Sequence, residues 1–221
     1  MMIAIQKMIF AVYGIIRTIV RATGLMGPVR RLTGPVAGRL LFKLSTSGAE
    51  LAQVQGHRMY LAPPGGYPPL DMVRDRYEPG TTRLFLETVK PGMVVIDTGA
   101  HVGYFTLLAA KNAGPTGTVY SFEPEPNNYD LLTKNIAVNG YENIVATKMA
   151  VSNRAGSSEL YLTALDSGRH SLFHHDLPEQ GIAAVETTTL DSFLESQGWP
   201  QIDLMKIDVE GAEATVLDGM A

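Results

Sequence analysis

The stretch VVIDTGAHVGYF, residues 94–105, constrains the fold of this chain more than any other. An apolar run typical of a buried strand ends at Asp97, and a helix-like run begins after two glycines, Gly99 and Gly103. Glycines at these positions let the backbone approach a ligand closely, and the N-terminus of the following helix presents free N–H groups. The stretch therefore predicts a strand, a ligand-binding loop and a helix, in that order.

Strand-like and helix-like segments alternate along the rest of the chain. Strands are predicted over 57–63, 93–97, 117–124, 143–151 and 202–208, and helices over 80–90, 104–112, 125–140, 190–198 and 211–219. Thr81 or Thr82 is the expected N-cap of the first of these helices. Such alternation requires parallel crossovers with helices on both faces of the sheet, so we predict a doubly wound, Rossmann-like α/β domain over 57–221. Residues 152–189 are interpreted as an insertion of two strands around a polar loop.

The N-terminal part of the chain differs from the rest in charge. Residues 1–49 contain seven Lys and Arg and no Asp or Glu, although the whole chain has a net charge of −4. The apolar segment 8–20 is interrupted by Arg17 and is too short to span a membrane. Two interpretations stay open: a basic amphipathic helix on an anionic membrane surface, or a cap helix packed on the main domain. We expect a helical extension over 1–56 and a cytoplasmic protein, with peripheral contact to the inner face of a membrane as the alternative.

Three carboxylates follow successive predicted strands: Asp97, Glu123 and Asp208. Ligands of doubly wound sheets bind beyond the carboxyl ends of the strands, and an acid at the place of Glu123 can accept both hydroxyls of a ribose. His101 stands where a dinucleotide-binding loop would have its second glycine. The pattern favours S-adenosylmethionine, whose carboxylate and cation replace a pyrophosphate, with NAD as the alternative cofactor.

Three longer stretches carry a family resemblance: VIDTGAHVGYFTLLAA, FEPEPNNYDLLTKNIAVNG and IDLMKIDVEGAEATVL. Together, over residues 77–221, they resemble the signature stretches of the FkbM-type S-adenosylmethionine-dependent methyltransferases. The resemblance implies a class I methyltransferase fold and methyl transfer to a hydroxyl oxygen on a sugar, a polyketide or a related small molecule. The loop pattern and the resemblance together give the expected cofactor-binding residues: Glu78, Asp97, Gly99, His101, Gly103, Glu123, Ala150, Val151 and Asp208.

The resemblance also implies that the fold normally continues with further strands, whereas this sequence stops after the helix that follows the fourth strand. The expected sheet therefore has only the strand order 3-2-1-4, with an open apolar edge that a second copy of the chain, a partner or the N-terminal extension would cover. A truncated remnant that binds a partner or a membrane is the alternative to an enzyme.

The expected catalytic residues are Lys206, Asp208 and Glu210. The two-residue period of a strand puts Lys206 and Asp208 on one face, with Glu210 just beyond the strand. A lysine in an apolar strand needs a partner or a lowered pKa, so Lys206 either orients the acceptor, acts as a base or forms a structural ion pair with Asp208.

The remaining features concern metals and partners. The histidines of RHSLFHHD (169–176) are interpreted as part of a solvated loop bordering the acceptor pocket, and no metal is expected. The chain has no cysteine, which excludes disulfides and thiolate metal sites. Its net charge gives no argument for nucleic acid, so the expected partner is a small-molecule hydroxyl acceptor.

Overall fold

The computed structural model describes residues 50–61, 70–163, 167–174 and 179–220. Its strands are β1 (Glu50–Val54), β2 (His57–Leu61), β3 (Val94–Thr98), β4 (Thr118–Phe122), β5 (Ile144–Thr147), β6 (Ala150–Val151), β7 (Gly156–Thr163), β8 (Glu179–Thr188) and β9 (Leu204–Ile207). Its helices are α1 (Leu70–Val73), α2 (Pro79–Thr88), α3 (Tyr104–Ala113), α4 (Pro126–Asn139), α5 (Leu190–Ser196) and α6 (Glu213–Asp218), with a 3₁₀ turn at Ser167–Arg169.

The central sheet has the order β5-β4-β3-β9, and every pair in it is parallel. This is the predicted order 3-2-1-4, which is confirmed. Within the described residues β9 pairs only with β3, so its outer side is a strand edge. A second copy of the chain at that edge stays a prediction.

Alternate residues of the strands face two different hydrophobic clusters. Val95 and Val119 belong to a cluster that includes residues of α2, α3 and β2. Ile96 belongs to a second cluster, together with Leu190 of α5 and Val216 of α6. Since helices cover both faces, the strands are apolar on both sides, and the predicted doubly wound fold is confirmed.

A second, three-stranded sheet has the order β6-β8-β7. The prediction of one strand over 143–151 is wrong, because the chain leaves the central sheet after Thr147. Ala150 and Val151 instead pair in parallel with Thr187 and Thr188 at the end of β8. The two strands expected within the insertion are present as β7 and β8, and they pair antiparallel.

The predicted N-cap of the helix at 80–90 is also wrong. Helix α2 begins one residue earlier, at Pro79, and its N-cap is Glu78 in the left-handed conformation, with φ of 38°. Proline suits the first helical position because its φ is already helical and no N–H is needed there. The hydroxyl of Thr82 lies inside α2 and donates to the carbonyl of Tyr77 at 2.9 Å.

Strands β1 and β2 form an antiparallel hairpin, with Val54 opposite His57. The predicted domain boundary after residue 56 falls within this hairpin. Residues 1–49 lie outside the described residues, so the helical extension and its membrane contact stay predictions. None of the helices in the described part of the chain is long and apolar enough to cross a membrane.

Candidate functional site

The glycine loop between β3 and α3 passes directly beneath the end of β9. Gly99 has a φ of +78°, and a Cβ there would overlap the carbonyl oxygen of Asp208. Gly103 has a φ of +93°, and a Cβ there would lie 2.7 Å from Leu132 Cδ1 of α4. Gly99 is therefore required both by its left-handed conformation and by its packing against backbone, whereas Gly103 is required mainly by its left-handed conformation.

Glu123 lies just beyond β4, and only 5% of it is exposed. Its Oε2 accepts a hydrogen bond from the backbone N–H of His101 at 2.8 Å, and its Oε1 accepts one from the N–H of Glu125 at 2.9 Å. Burial raises the pKa of Glu123 to about 7, against the opposing effect of these N–H groups, and the charge of Glu125 adds to the rise. Glu123 therefore fixes the loop, and it would ionise most readily with a cation nearby.

Lys206 of β9 connects two of the predicted carboxylates. Its Nζ lies 3.5 Å from Asp97 Oδ1 and 3.0 Å from Asp208 Oδ2, and its side chain is 9% exposed. The Nζ also lies 5.1 Å from the centroid of the Phe105 ring. Burial would lower the pKa of Lys206, but the charges of Asp97 and Asp208 outweigh burial and raise it. Lys206 is therefore an ammonium near neutral pH, which argues against the base role considered for it.

An open pocket of about 530 Å³ lies at the carboxyl ends of β3, β4 and β9, and part of that space is continuous with solvent. Its lining residues are Gly99, His101, Phe122, Glu123, Pro124, Met149, Ala150, Val151, Leu160, Gly168, His170, Leu172, Asp208, Val209 and Glu210. This set contains three carboxylates and, among the described residues, neither lysine nor arginine. The pocket is thus acidic and has one apolar wall.

The pocket brings together seven of the predicted site residues: Gly99, His101, Glu123, Ala150, Val151, Asp208 and Glu210. Asp97 is fully buried below the loop, where Thr106 Oγ1 donates to its Oδ2 at 2.7 Å. Gly103 lies against α4, and Glu78 contributes to the field that raises the pKa of Lys206. None of these three residues lines the pocket, and neither does Lys206.

Several predicted site residues have an unusual backbone conformation. His101, Glu78 and Glu210 have φ values of 52°, 38° and 48°, in the left-handed region that residues other than glycine seldom adopt. Such conformations cost about 1–3 kcal/mol each and concentrate at ligand-binding sites. In this conformation His101 donates its backbone N–H to the carboxylate of Glu123.

The insertion supplies part of the pocket wall, as expected. His170 Nδ1 accepts from the N–H of Thr163 at 3.1 Å, and Ser171 Oγ donates to the carbonyl of Glu210 at 2.7 Å. His170 and Leu172 were not predicted as lining residues individually, because only the pairing with β7 brings this loop over the sheet end. No group of three or more potential metal ligands occurs among the described residues, and His175 lies outside them.

Comparison with known proteins identifies the family. A family model described as the methyltransferase FkbM domain matches residues 97–221, more than half of the chain. The chain belongs to this family. The match covers the glycine loop, Glu123 and the end of β9, so the predicted resemblance is confirmed and the class I methyltransferase fold with it.

Two relatives of known name are similar over part of their length. The hexuronic acid methyltransferase AglP of Haloferax volcanii is 28% identical over 149 residues, which are 67% of this chain and 59% of that protein. The 31-O-demethyl-FK506 methyltransferase FkbM of Streptomyces tacrolimicus is 30% identical over 162 residues, 60% of this chain and 61% of that protein. The chain thus spans about three fifths of the length of these relatives.

The solved structures give a weaker likeness. The structure of M. jannaschii TYW2 in complex with AdoMet is 23% identical, covers 44% of this chain and 42% of that chain, and has a TM-score of 0.36. A likeness at this level transfers no residue's role to this chain.

Proposed function

We propose that this chain forms the cofactor-binding part of an S-adenosylmethionine-dependent O-methyltransferase that acts on a hydroxyl of a sugar, a polyketide or a related small molecule. The observation that carries the proposal is the acidic pocket at the carboxyl ends of β3, β4 and β9, with buried Glu123 on one side and Asp208 on the other. Membership of the FkbM methyltransferase family supports the same reaction class.

The chemistry of the pocket suits each part of S-adenosylmethionine. Glu123 has a carboxylate that can accept the two hydroxyls of a ribose. Ala150, Val151 and Leu160 give an apolar wall for the flat faces of an adenine. Asp208 and Glu210 line the pocket with carboxylates, whose negative charge would stabilise the positive charge of bound S-adenosylmethionine.

The charge of the pocket also separates this cofactor from NAD. A dinucleotide would bring a pyrophosphate, which the carboxylates of Glu123 and Glu210 would repel, and Lys206 next to the pocket is already paired with Asp208 and Asp97. His101 occupies the loop position at which a dinucleotide site has a glycine. Both observations favour a cationic cofactor over a nicotinamide dinucleotide.

Bound S-adenosylmethionine would supply a methyl group activated by its sulfonium charge. The task of the protein is then to align a hydroxyl oxygen of the acceptor with that methyl group and to accept the proton that the hydroxyl loses. Asp208 and Glu210 line the pocket and are the carboxylates we propose for the proton. The ammonium of Lys206 lies 3.0 Å from the carboxylate of Asp208. We therefore propose that Lys206 acts as a cation that positions Asp208.

The cofactor proposal is tested by calorimetric titration of the chain with S-adenosylmethionine and, separately, with NAD at pH 8. Glu123→Ala is the test variant, and Glu142→Ala is the matched control because Glu142 is exposed and does not line the pocket. Hydrogen bonds to a charged group contribute about 1.5–3 kcal/mol, so the Kd of Glu123→Ala should rise about ten- to a hundredfold. Glu142→Ala should bind as the unchanged chain does.

The outcomes separate the candidate cofactors. Binding of S-adenosylmethionine that weakens in Glu123→Ala alone supports the proposal, whereas binding of NAD alone would replace it with an oxidoreductase. Failure of both ligands to bind would overturn it. Because ionised Glu123 is the better acceptor for hydroxyl donors, binding should also be tighter at pH 8 than at pH 6.

The transfer step is tested with S-adenosylmethionine carrying an isotopically labelled methyl group and a panel of hydroxylated sugars and polyketides. Once an acceptor is found, Asp208→Asn and Glu210→Gln should reduce kcat, since each removes a carboxylate that can accept the proton. Unchanged kcat in both variants would remove the two residues from the proposed chemistry.

A further inference from the structure

Two asparagines of α4 hold the β1–β2 hairpin in the manner of an additional strand. The side chain of Asn135 accepts from the N–H of Tyr60 at 2.6 Å and donates to its carbonyl at 3.2 Å. The side chain of Asn139 accepts from the N–H of Arg58 at 2.9 Å and donates to its carbonyl at 2.7 Å. Residues four apart on a helix thus pair with backbone two apart on a strand, which satisfies the outer edge of β2.

Only one of the two asparagines also contacts the glycine loop. Asn135 Nδ2 donates to the carbonyl of Val102 at 2.8 Å, whereas Asn139 Nδ2 makes its further bond to the carbonyl of Asn135 at 2.7 Å. Asn135 is completely buried, and Val102 is 5% exposed. Without Asn135, a buried carbonyl in the middle of the loop would lose this donor.

Val102 lies between the two residues on which the shape of the loop depends. Before it, left-handed His101 donates its N–H to Glu123. After it, left-handed Gly103 is the N-cap of α3 and lies against Leu132, one turn before Asn135 on α4. A bond that fixes the carbonyl of Val102 restrains the Val102–Gly103 peptide plane. The Gly103 N–H in that plane donates at 2.8 Å to the carbonyl of Ala100, which lies in the peptide plane that carries His101 N–H.

We propose that Asn135 is a positioning residue that holds the glycine loop in its ligand-binding conformation and couples it to the β1–β2 hairpin. The proposal rests on the proposed function, because the ligand used to detect the coupling is S-adenosylmethionine. Asn135 does not line the pocket, so its effect on binding is transmitted through Val102 and His101.

The first experiment uses the unchanged chain and hydrogen exchange with and without S-adenosylmethionine. Coupling between two sites is reciprocal, so a ligand that orders the loop should order what the loop is bonded to. The N–H of Tyr60, which is bonded to Asn135, should exchange more slowly when the ligand is bound. The N–H of Arg58, which is bonded to Asn139, is the internal control and should change less. Equal changes at the two amides would overturn the proposal.

The second experiment compares substitutions at the two asparagines. Asn135→Ala and Asn139→Ala both weaken the contact with β2, so both should lower the Tm. Only Asn135→Ala should raise the Kd for S-adenosylmethionine, by about tenfold, with Asn139→Ala remaining within about twofold. Asn135→Asp, which is of the same size but has lost the amide donor to Val102, should resemble Asn135→Ala.

A negative result in each experiment leads to a different conclusion. If the unchanged chain does not bind S-adenosylmethionine, the proposed function fails and the coupling fails with it. If the unchanged chain binds and all three variants keep its Kd, only the role of Asn135 fails. If Asn135→Ala and Asn135→Asp do not fold, the exchange of the Tyr60 and Arg58 amides in the unchanged chain decides the question.

Discussion

Asp97 and Glu123 are buried carboxylates at the carboxyl ends of neighbouring parallel strands, and they are stabilised in different ways. Asp97 lies 3.5 Å from the ammonium of Lys206 and accepts from the hydroxyl of Thr106. Glu123 accepts from the backbone N–H groups of His101 and Glu125, and within the described residues it has no lysine or arginine beside it. One negative charge is neutralised by the protein, and the other is not.

The two strand ends lie at the same edge of the sheet but differ in this way, and we call the Asp97 strand end the supporting end and the Glu123 strand end the binding end. A carboxylate with its own cation forms a fixed part of the structure, and the ion pairs of Lys206 connect Asp97 to Asp208 at the edge of the pocket. Burial without a neighbouring cation raises the pKa of Glu123 to about 7, so this carboxylate would respond to a ligand that brings hydrogen-bond donors or positive charge. We propose that the supporting end holds the site in place and that the binding end contacts the ligand.

The largest effect is expected from removing the cation of the supporting end. Lys206→Met leaves Asp97 buried and unpaired, which should cost about 3–5 kcal/mol of unfolding free energy. Urea denaturation measures the loss. The double variant Asp97→Asn with Lys206→Met removes both charges and should recover much of it. Equal stability of Lys206→Met and the unchanged chain would show that the ion pair does not support this end.

The titration of Glu123, at the binding end, should appear in the pH dependence of the free energy of unfolding. The pKa of Glu123 is raised from 4.5 to about 7 on folding, so the folded state holds the proton more tightly. Its contribution is complete below pH 4.5 and is lost as the pH rises toward and through about 7, by at most about 3 kcal/mol. Glu123→Gln should lack this component in urea denaturation between pH 4.5 and 8. Parallel pH profiles of the two proteins would contradict the assignment.

The two ends meet at Gly99, where the loop passes the carbonyl of Asp208. Gly99→Ala should destabilise the chain by about 2 kcal/mol, since it combines an unfavourable φ with a clash against backbone. Gly140→Ala is the matched control, because Gly140 has a φ of +69° and nothing within 4 Å of an added Cβ. Its cost should be about 1 kcal/mol, from the backbone alone. Equal costs in thermal unfolding would mean that the approach of the two ends is not tight.

The smallest effect concerns the tuning of Glu123 by its neighbour. Glu125 is the N-cap of α4, where its side chain accepts from the N–H of Asn128 at 2.7 Å, and its charge helps to raise the pKa of Glu123. Glu125→Gln keeps an acceptor for the cap and removes the charge. The pKa of Glu123, followed by carboxyl NMR, should therefore fall by a fraction of a unit, and Glu142→Gln should leave it unchanged. A rise in Glu125→Gln would exclude this repulsion.

Much of this arrangement could be predicted from the order of residues. The glycine spacing and the acid at position 123 predicted the loop and the carboxylate beyond β4, because these depend on local conformation and on strand ends. Two predictions failed for different reasons, one because a local signal was overlooked and one because a tertiary contact overrides local preference. Thr81 and Thr82 are good N-cap residues, but Pro79 begins α2 earlier. The apolar run 143–151 favoured one strand, but pairing with β8 divides it.

The hydrogen bonds of Asn135 and Asn139 to the backbone of β2 had no signal in the sequence. Asn135 and Asn139 lie in a helix that was predicted, yet asparagines four apart on a helix are usually exposed side chains without a partner. Their role depends on the hairpin, which approaches α4 from a part of the chain some 75 residues earlier. The wall formed by His170 and Leu172 likewise depends on the pairing of the insertion.

The sequence by itself determined that three carboxylates meet at one edge of the molecule, since parallel strands in alternation with helices have their carboxyl ends together. It also determined that the loop there must contain glycine. Only the tertiary structure decided that Lys206 forms ion pairs with Asp97 and Asp208, and that Glu123 has no such cation beside it among the described residues. The physical reason is that the sequence fixes the sign of each charged residue and its place at a strand end. The stabilisation of that charge depends instead on distances between strands that are far apart in sequence.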